Sequence, residues 1–107
     1  MNAFSPTLQE LQSQILVAPV TDFEPHVQKG ICVKIDDSLS LAETALLIAT
    51  DQKEKVSELI DTNKLQKASM ENYQAWKKDK IFFEFIIVQP FVLIKTLVKL
   101  NPAPSQA

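Results

Sequence analysis

The sequence predicts a single small α+β domain, and three observations carry that reading. Leu8, Leu11 and Ile15 recur at spacings of three and four, the period of one helix face. Residues 81–88 form an almost unbroken run of Phe, Ile and Val, as in a strand covered on both faces. Between these segments lie two capping patterns, Ser40-Leu41-Ala42-Glu43 and Asp51-Gln52-Lys53-Glu54, each opening on apolar residues at helical spacing. A chain of 107 residues has room for one core. That core is placed over residues 6–100, between a disordered segment 1–5 and a loose, proline-containing tail 101–107.

The elements follow in order. Ser5 before Pro6 suits a helix start, with Ser as N-cap and Pro in the first turn, and the helix runs over 6–17. Pro19 and Pro25 bracket an irregular link. Gly30, the sole glycine, supplies a turn with positive φ before a strand over 31–35 rich in β-branched residues. Helices are predicted over 41–49 and 52–62, capped by Ser40 and Asp51, with Asn63 in the left-handed position that ends the second. Ser69 caps a further helix over 70–77 that stacks Met70, Tyr73 and Trp76. A strand occupies 81–88, and Gln89-Pro90 breaks it, since proline cannot donate to a ladder. Residues 91–98 fit a strand or a helix starting at Pro90; β-branching at Val92, Ile94, Thr96 and Val98 favours the strand.

Composition excludes several function classes. Hydrophobic residues at 46% and charged residues at 22% exclude a fully disordered chain, and one cysteine excludes a disulfide scaffold. Lone Cys32 fits a reducing compartment, and no basic segment precedes an apolar stretch at the N-terminus, so a cytoplasmic location is expected. The net charge of −2 and the absence of arginine count against binding to nucleic acid or anionic membrane. Residues 1–50 carry six acids against two lysines and residues 51–107 seven against nine, so the basic character is C-terminal. Lys64, Lys67, Lys77, Lys78 and Lys80 read as a solvated face or a small basic patch. A membrane span over 81–100 is rejected because Glu84, Gln89, Pro90, Lys95 and Lys99 interrupt it.

Little in the sequence points to chemistry. His26 is the one side chain that titrates near neutrality, and no nucleophile or carboxylate motif accompanies it. One His and one Cys do not build a zinc site, and a single glycine does not build a phosphate-cradling loop. Neighbouring Asp36 and Asp37 suit a turn better than a shared metal. A non-enzyme without cofactor or metal is expected. The helix pair 41–49 and 52–62 has the dimensions of a helix-turn-helix. Its second helix would offer Lys53, Glu54, Lys55, Ser57, Glu58 and Asp61, three acids against two lysines, a face that repels phosphate.

Several segments together resemble a small bacterial family of single-domain proteins known only as a domain of unknown function. The resemblance rests on Pro25-His26 followed by Gly30, on Asp36 to Leu41 leading into an alanine-rich helix, on Ala49-Thr50-Asp51, and on Trp76. Its most specific part is Ile87-Val88-Gln89-Pro90-Phe91-Val92-Leu93-Ile94. In the family pattern an Asp is usual where Ser40 stands, and both residues cap helices. A Tyr is common where Phe91 stands, so this chain lacks a hydroxyl there. The resemblance implies a conserved fold and no particular reaction, cofactor or partner.

The functional expectation is a non-catalytic cytoplasmic module that works by contact with another protein or with a second copy of itself. Fourteen apolar residues among the 20 from Ile81 to Leu100 exceed what a small core needs, and a homodimer would bury the surplus. A helix-turn-helix nucleic-acid binder is the alternative. The candidate functional surface comprises Pro25, His26, Trp76, Gln89, Pro90 and Phe91; Trp76 and Phe91 also suit the core.

Overall fold

The architecture follows from one five-stranded mixed sheet with helices packed on both faces. The structure is a computed structural model and describes residues 7–97. The helix start expected at Ser5-Pro6, the segment 1–5 and the tail 101–107 lie outside those residues, as does Val98. The elements are α1 (Leu8–Ser13), β1 (Leu16–Pro19), a 3-10 turn (Val20–Phe23), α2 (Glu24–Lys29), β2 (Cys32–Ile35), α3 (Leu41–Ala49), α4 (Lys53–Asp61), β3 (Leu65–Lys67), α5 (Met70–Lys78), β4 (Phe82–Val88) and β5 (Phe91–Thr96). The strands lie in the order β1-β4-β5-β2-β3; β2 and β5 are parallel and the other neighbours antiparallel.

Side-chain alternation along these strands divides the core into two clusters. On one face Cys32, Phe83, Val92 and Ile94 pack with Val20, Phe23, Val27 and Tyr73 of the 3-10 turn, α2 and α5. Phe23 meets Phe83 and Phe85 edge-on, with ring centroids 6.1 and 5.1 Å apart, an arrangement that suits aromatic quadrupoles. On the other face Ile35, Leu65, Ile86 and Leu93 pack against Leu11 of α1 and Leu41, Ala42 and Ala45 of α3. Coverage from both sides explains the continuous apolar run of β4, although Phe82 and Ile87 near its ends remain exposed.

Four helices end in the same way. After α2, α3, α4 and α5 a residue with positive φ reverses the chain: Gly30 at 75°, Asp51 at 60°, Asn63 at 63° and Lys80 at 56°. In each case the amide of that residue donates to the carbonyl three back, and the next amide donates to the carbonyl five back. The longer bonds are Ile31 to His26 at 3.1 Å, Gln52 to Leu47 at 2.9 Å, Lys64 to Leu59 at 2.8 Å and Ile81 to Trp76 at 3.2 Å. These paired bonds satisfy the orphan carbonyls at a helix C-terminus.

Several expectations are corrected. The helix over 6–17 ends at Ser13, and residues 16–19 form β1 along β4, because pairing to a central strand overrides the helical spacing. Its N-cap is Thr7, which forms a full capping box with Glu10. The link between Pro19 and Gly30 is largely helical, with Pro25 in the first turn of α2, where no intrahelical N–H is lost. Asp51 does not cap α4: it closes α3, and Gln52 takes the cap position without a side-chain bond. Ser40 accepts from the Glu43 amide at 3.2 Å, and only that half of its capping box is made. Ser69 forms a complete box, with Asn72 as its reciprocal partner. Strand β3 was not expected; its lone buried residue is Leu65. Residues 91–96 are strand, as favoured, and Gln89-Pro90, with a cis peptide bond, makes the tight turn from β4.

Candidate functional site

The six candidate residues fall in separate places. Pro25 and His26 lie in α2, the first exposed and the second half-buried. The His26 Nδ1 is buried and has no hydrogen-bond partner among the described residues, so no carboxylate orients the ring through that nitrogen. Trp76 in α5 is half-buried and packs edge-on against Phe83, centroids 5.1 Å apart, near the start of β4. Gln89 and Pro90 are exposed at the far end of the same strand. Six residues of extended chain separate Phe83 from Gln89, roughly 20 Å. Phe91 follows as the first residue of β5, is 37% exposed and lines a groove on the opposite sheet face from α2. Gln89, Pro90 and Phe91 are therefore neighbours, while Trp76 stands apart from them.

The titratable groups are mostly structural. Cys32 is wholly buried, and burial pushes its thiol up to about 12, which makes it a poor nucleophile at neutral pH. Asp36 accepts from the hydroxyl and the amide of Ser38, and these two bonds hold its carboxyl below the ordinary value, with smaller help from Lys64 and Lys34. The Asp36-Asp37 pair does form a turn: Asp36 closes the loop and Asp37 pairs with Lys34 at 3.6 Å. Burial, and then the neighbouring Glu24 carboxylate, raise the Tyr73 phenol, which donates to Glu24 at 3.4 Å. Among the described residues no three His, Cys, Asp or Glu side chains are grouped to hold a metal ion.

The five lysines do not share one surface. Lys64 and Lys67 flank or lie in β3 at one sheet edge, whereas Lys77, Lys78 and Lys80 lie where α5 leads into β4, three strands away. The outer side of α4 forms a shallow cleft lined by Lys53, Glu54, Ser57, Glu58 and Asp61, so acids outnumber the cation there.

What the sequence did not foresee is how the exposed apolar residues divide. Six large hydrophobic side chains are exposed among the described residues, and they form two patches. Leu16, Val17, Phe82 and Ile87 surround the β1 edge. Leu16 opposes Phe85 and is a diagonal neighbour of Ile87 on the α2/α5 face. Val17 opposes Glu84 and is a diagonal neighbour of Phe82 on the other face. Ile60 and Phe91 belong instead to a groove of about 330 Å³ between α4 and the sheet, shared with Val33, Ile48, Val56 and Leu65. Helix α4 has no fully buried residue, which leaves that groove open.

Fold and surface thus define a small α+β protein with exposed apolar residues at the β1 edge and beside α4. The family model described as "Protein of unknown function (DUF2288)" matches residues 7–96, and the chain belongs to that family. Among solved structures, the NMR solution structure of PA1075 from Pseudomonas aeruginosa is similar, with a TM-score of 0.76 over 94% of each chain at 22% identity. At that identity the likeness establishes the shared fold. No curated protein matches the chain. No helix among the described residues is long and apolar enough to cross a membrane.

Proposed function

We propose that this protein is a non-catalytic module of the cytoplasm that works by protein contact, and that its partner is a second copy of itself, paired through β1. The observation that carries this reading is the edge of β1, on whose outer side no strand pairs among the described residues. Leu16 is 60% exposed and Val17 is 54% exposed, they point to opposite faces, and the strand Leu16–Pro19 holds no charge. Natural edge strands are usually blunted by lysine, proline, short length, bulges or covering segments. Strand β1 has four residues and ends in Pro19, which offers no N–H, so strand addition would centre on Val17. Antiparallel pairing of β1 with its own copy is compatible with a two-fold axis, so one self-complementary patch suffices. The new strand would cover Leu16 on one face and Val17 on the other, beside Ile87 and Phe82 respectively.

This contact differs from the one the sequence suggests. Of the 12 apolar residues described in the stretch 81–100, Phe83, Ile86, Val92, Leu93 and Ile94 are buried inside the chain, and Phe82, Ile87 and Phe91 are exposed. The wholly buried thiol of Cys32, a poor nucleophile at neutral pH, fits a role without covalent chemistry at that residue. The acid-rich outer side of α4 weighs against the helix-turn-helix alternative.

Light scattering over a concentration series tests the proposal. Wild type is expected to approach twice the chain mass of 12.0 kDa, and Val17→Lys to remain at the single-chain value. Wild type that stays at the single-chain mass up to millimolar concentration, or a Val17→Lys variant that still dimerises, refutes pairing through β1.

A further inference from the structure

We infer that the groove between α4 and the sheet is a binding site for a linear amphiphile, an alkyl chain ending in a carboxylate. It is a separate site from the β1 edge and does not depend on that reading. Its volume of about 330 Å³ falls at the lower end of small-molecule sites, which are mostly apolar with a few placed polar groups. Val33, Ile48, Val56, Ile60, Leu65 and Phe91 give the walls, and the sole charged lining residue is Lys67.

Charge complementarity selects the occupant. Lys67 lines the groove from β3, an exposed side chain whose ammonium lies 3.8 Å from where a Cβ on Gly30 would sit. Among the described residues it makes no ion pair within 4.0 Å, and no acid lines the groove. An unpaired cation beside an apolar channel fits a ligand with an anionic head and an aliphatic tail. The walls offer no acceptor for a cationic head and little polar surface for a sugar or nucleotide. Half-buried Val56 and exposed Ile60 of α4 form the movable side, since that helix is the least buried of the nine-residue helices.

The test compares decanoate, decanol and decylamine in NMR titrations of the labelled full chain. Decanoate is expected to shift Val33, Ile48, Val56, Ile60 and Phe91 saturably, and to bind more tightly than the other two. Lys67→Gln should weaken decanoate roughly five-fold, as for one part-exposed charge contact, and leave decanol unchanged. Ile60→Asp, at an exposed position that folding tolerates, should abolish decanoate binding. Equal affinity for decanoate and decanol overturns the proposal, and so do shifts centred on Leu16 and Val17. Concentration-dependent shifts at Ile60 and Phe91 without ligand would overturn it too, because a second chain would then occupy the groove.

Discussion

Replacing Lys80 by glycine should make this protein more stable, and the size of the gain follows from the backbone. Lys80 closes α5 with φ at 56°, a conformation in which an L residue's Cβ crowds its own carbonyl. That crowding costs roughly 1–2 kcal/mol for an ordinary side chain. Glycine removes it but gives the unfolded chain more freedom, which returns about 0.4–1 kcal/mol. The net gain is therefore up to about 1.6 kcal/mol, centred near 0.8 kcal/mol. In a domain of this size 1 kcal/mol moves the midpoint of thermal unfolding by roughly 4–8 °C. The reverse experiment sits in the same fold. Gly30 has φ at 75°, and a Cβ there would meet nothing nearer than the Lys67 side chain at 3.8 Å, an ordinary contact. Gly30→Ala should accordingly lose about 1 kcal/mol from backbone strain alone, with no steric addition. Asn63→Gly should gain less than Lys80→Gly, because asparagine tolerates the left-handed region. Urea denaturation at constant m-value measures all three. Lys80→Gly that destabilises, or Gly30→Ala that stabilises, would refute the argument that the bonding pattern at these helix ends forces the left-handed residue.

Two further outcomes follow from the titratable groups. Cys32, buried and held near 12, should resist a thiol reagent at pH 8 in the native protein and react at once in urea; rapid native labelling would contradict its place beneath α2. Asp36 has a native pKa below its ordinary value of 3.8, so the stability it contributes is present above that value and is lost as pH falls through the lower native one. Ser38→Ala removes the largest single cause, the hydroxyl bond, and keeps the bond from the backbone amide. It should bring the Asp36 carboxyl part of the way back toward 3.8 in an NMR titration and shift acid unfolding to higher pH; an unmoved Asp36 would contradict the leading role of the hydroxyl bond.

The legible parts of the fold were those where local chemistry and tertiary demand agree. Ser69, the β-branched run of β5 and the glycine after α2 each satisfied a local rule that the sheet also required. The illegible parts were those where pairing or a neighbouring helix decided. Residues 16–19 take strand geometry because β4 offers them a ladder, and nothing in Leu16-Val17-Ala18-Pro19 announces that partner. Asp51 looked like the start of α4, yet its amide completes the end of α3, two roles a single residue cannot hold at once. Strand β3, with Gln66 and Lys67 exposed, carries too short an apolar pattern to register. Of the six residues singled out in the sequence, Phe91 alone lines the α4 groove, and none lies at the β1 edge. The β1 edge depends on strand order, and the α4 groove depends on how far a helix stands from the sheet; neither quantity is written in local sequence.

The central claim is that two copies of the chain join at β1. An isotope-filtered NOE experiment on a mixture of labelled and unlabelled chains addresses it directly. The account predicts intermolecular contacts confined to Leu16, Val17 and their neighbours Phe82 and Ile87. Intermolecular contacts at Ile60 and Phe91 instead, or none at a concentration where the chain is fully associated by mass, would contradict it.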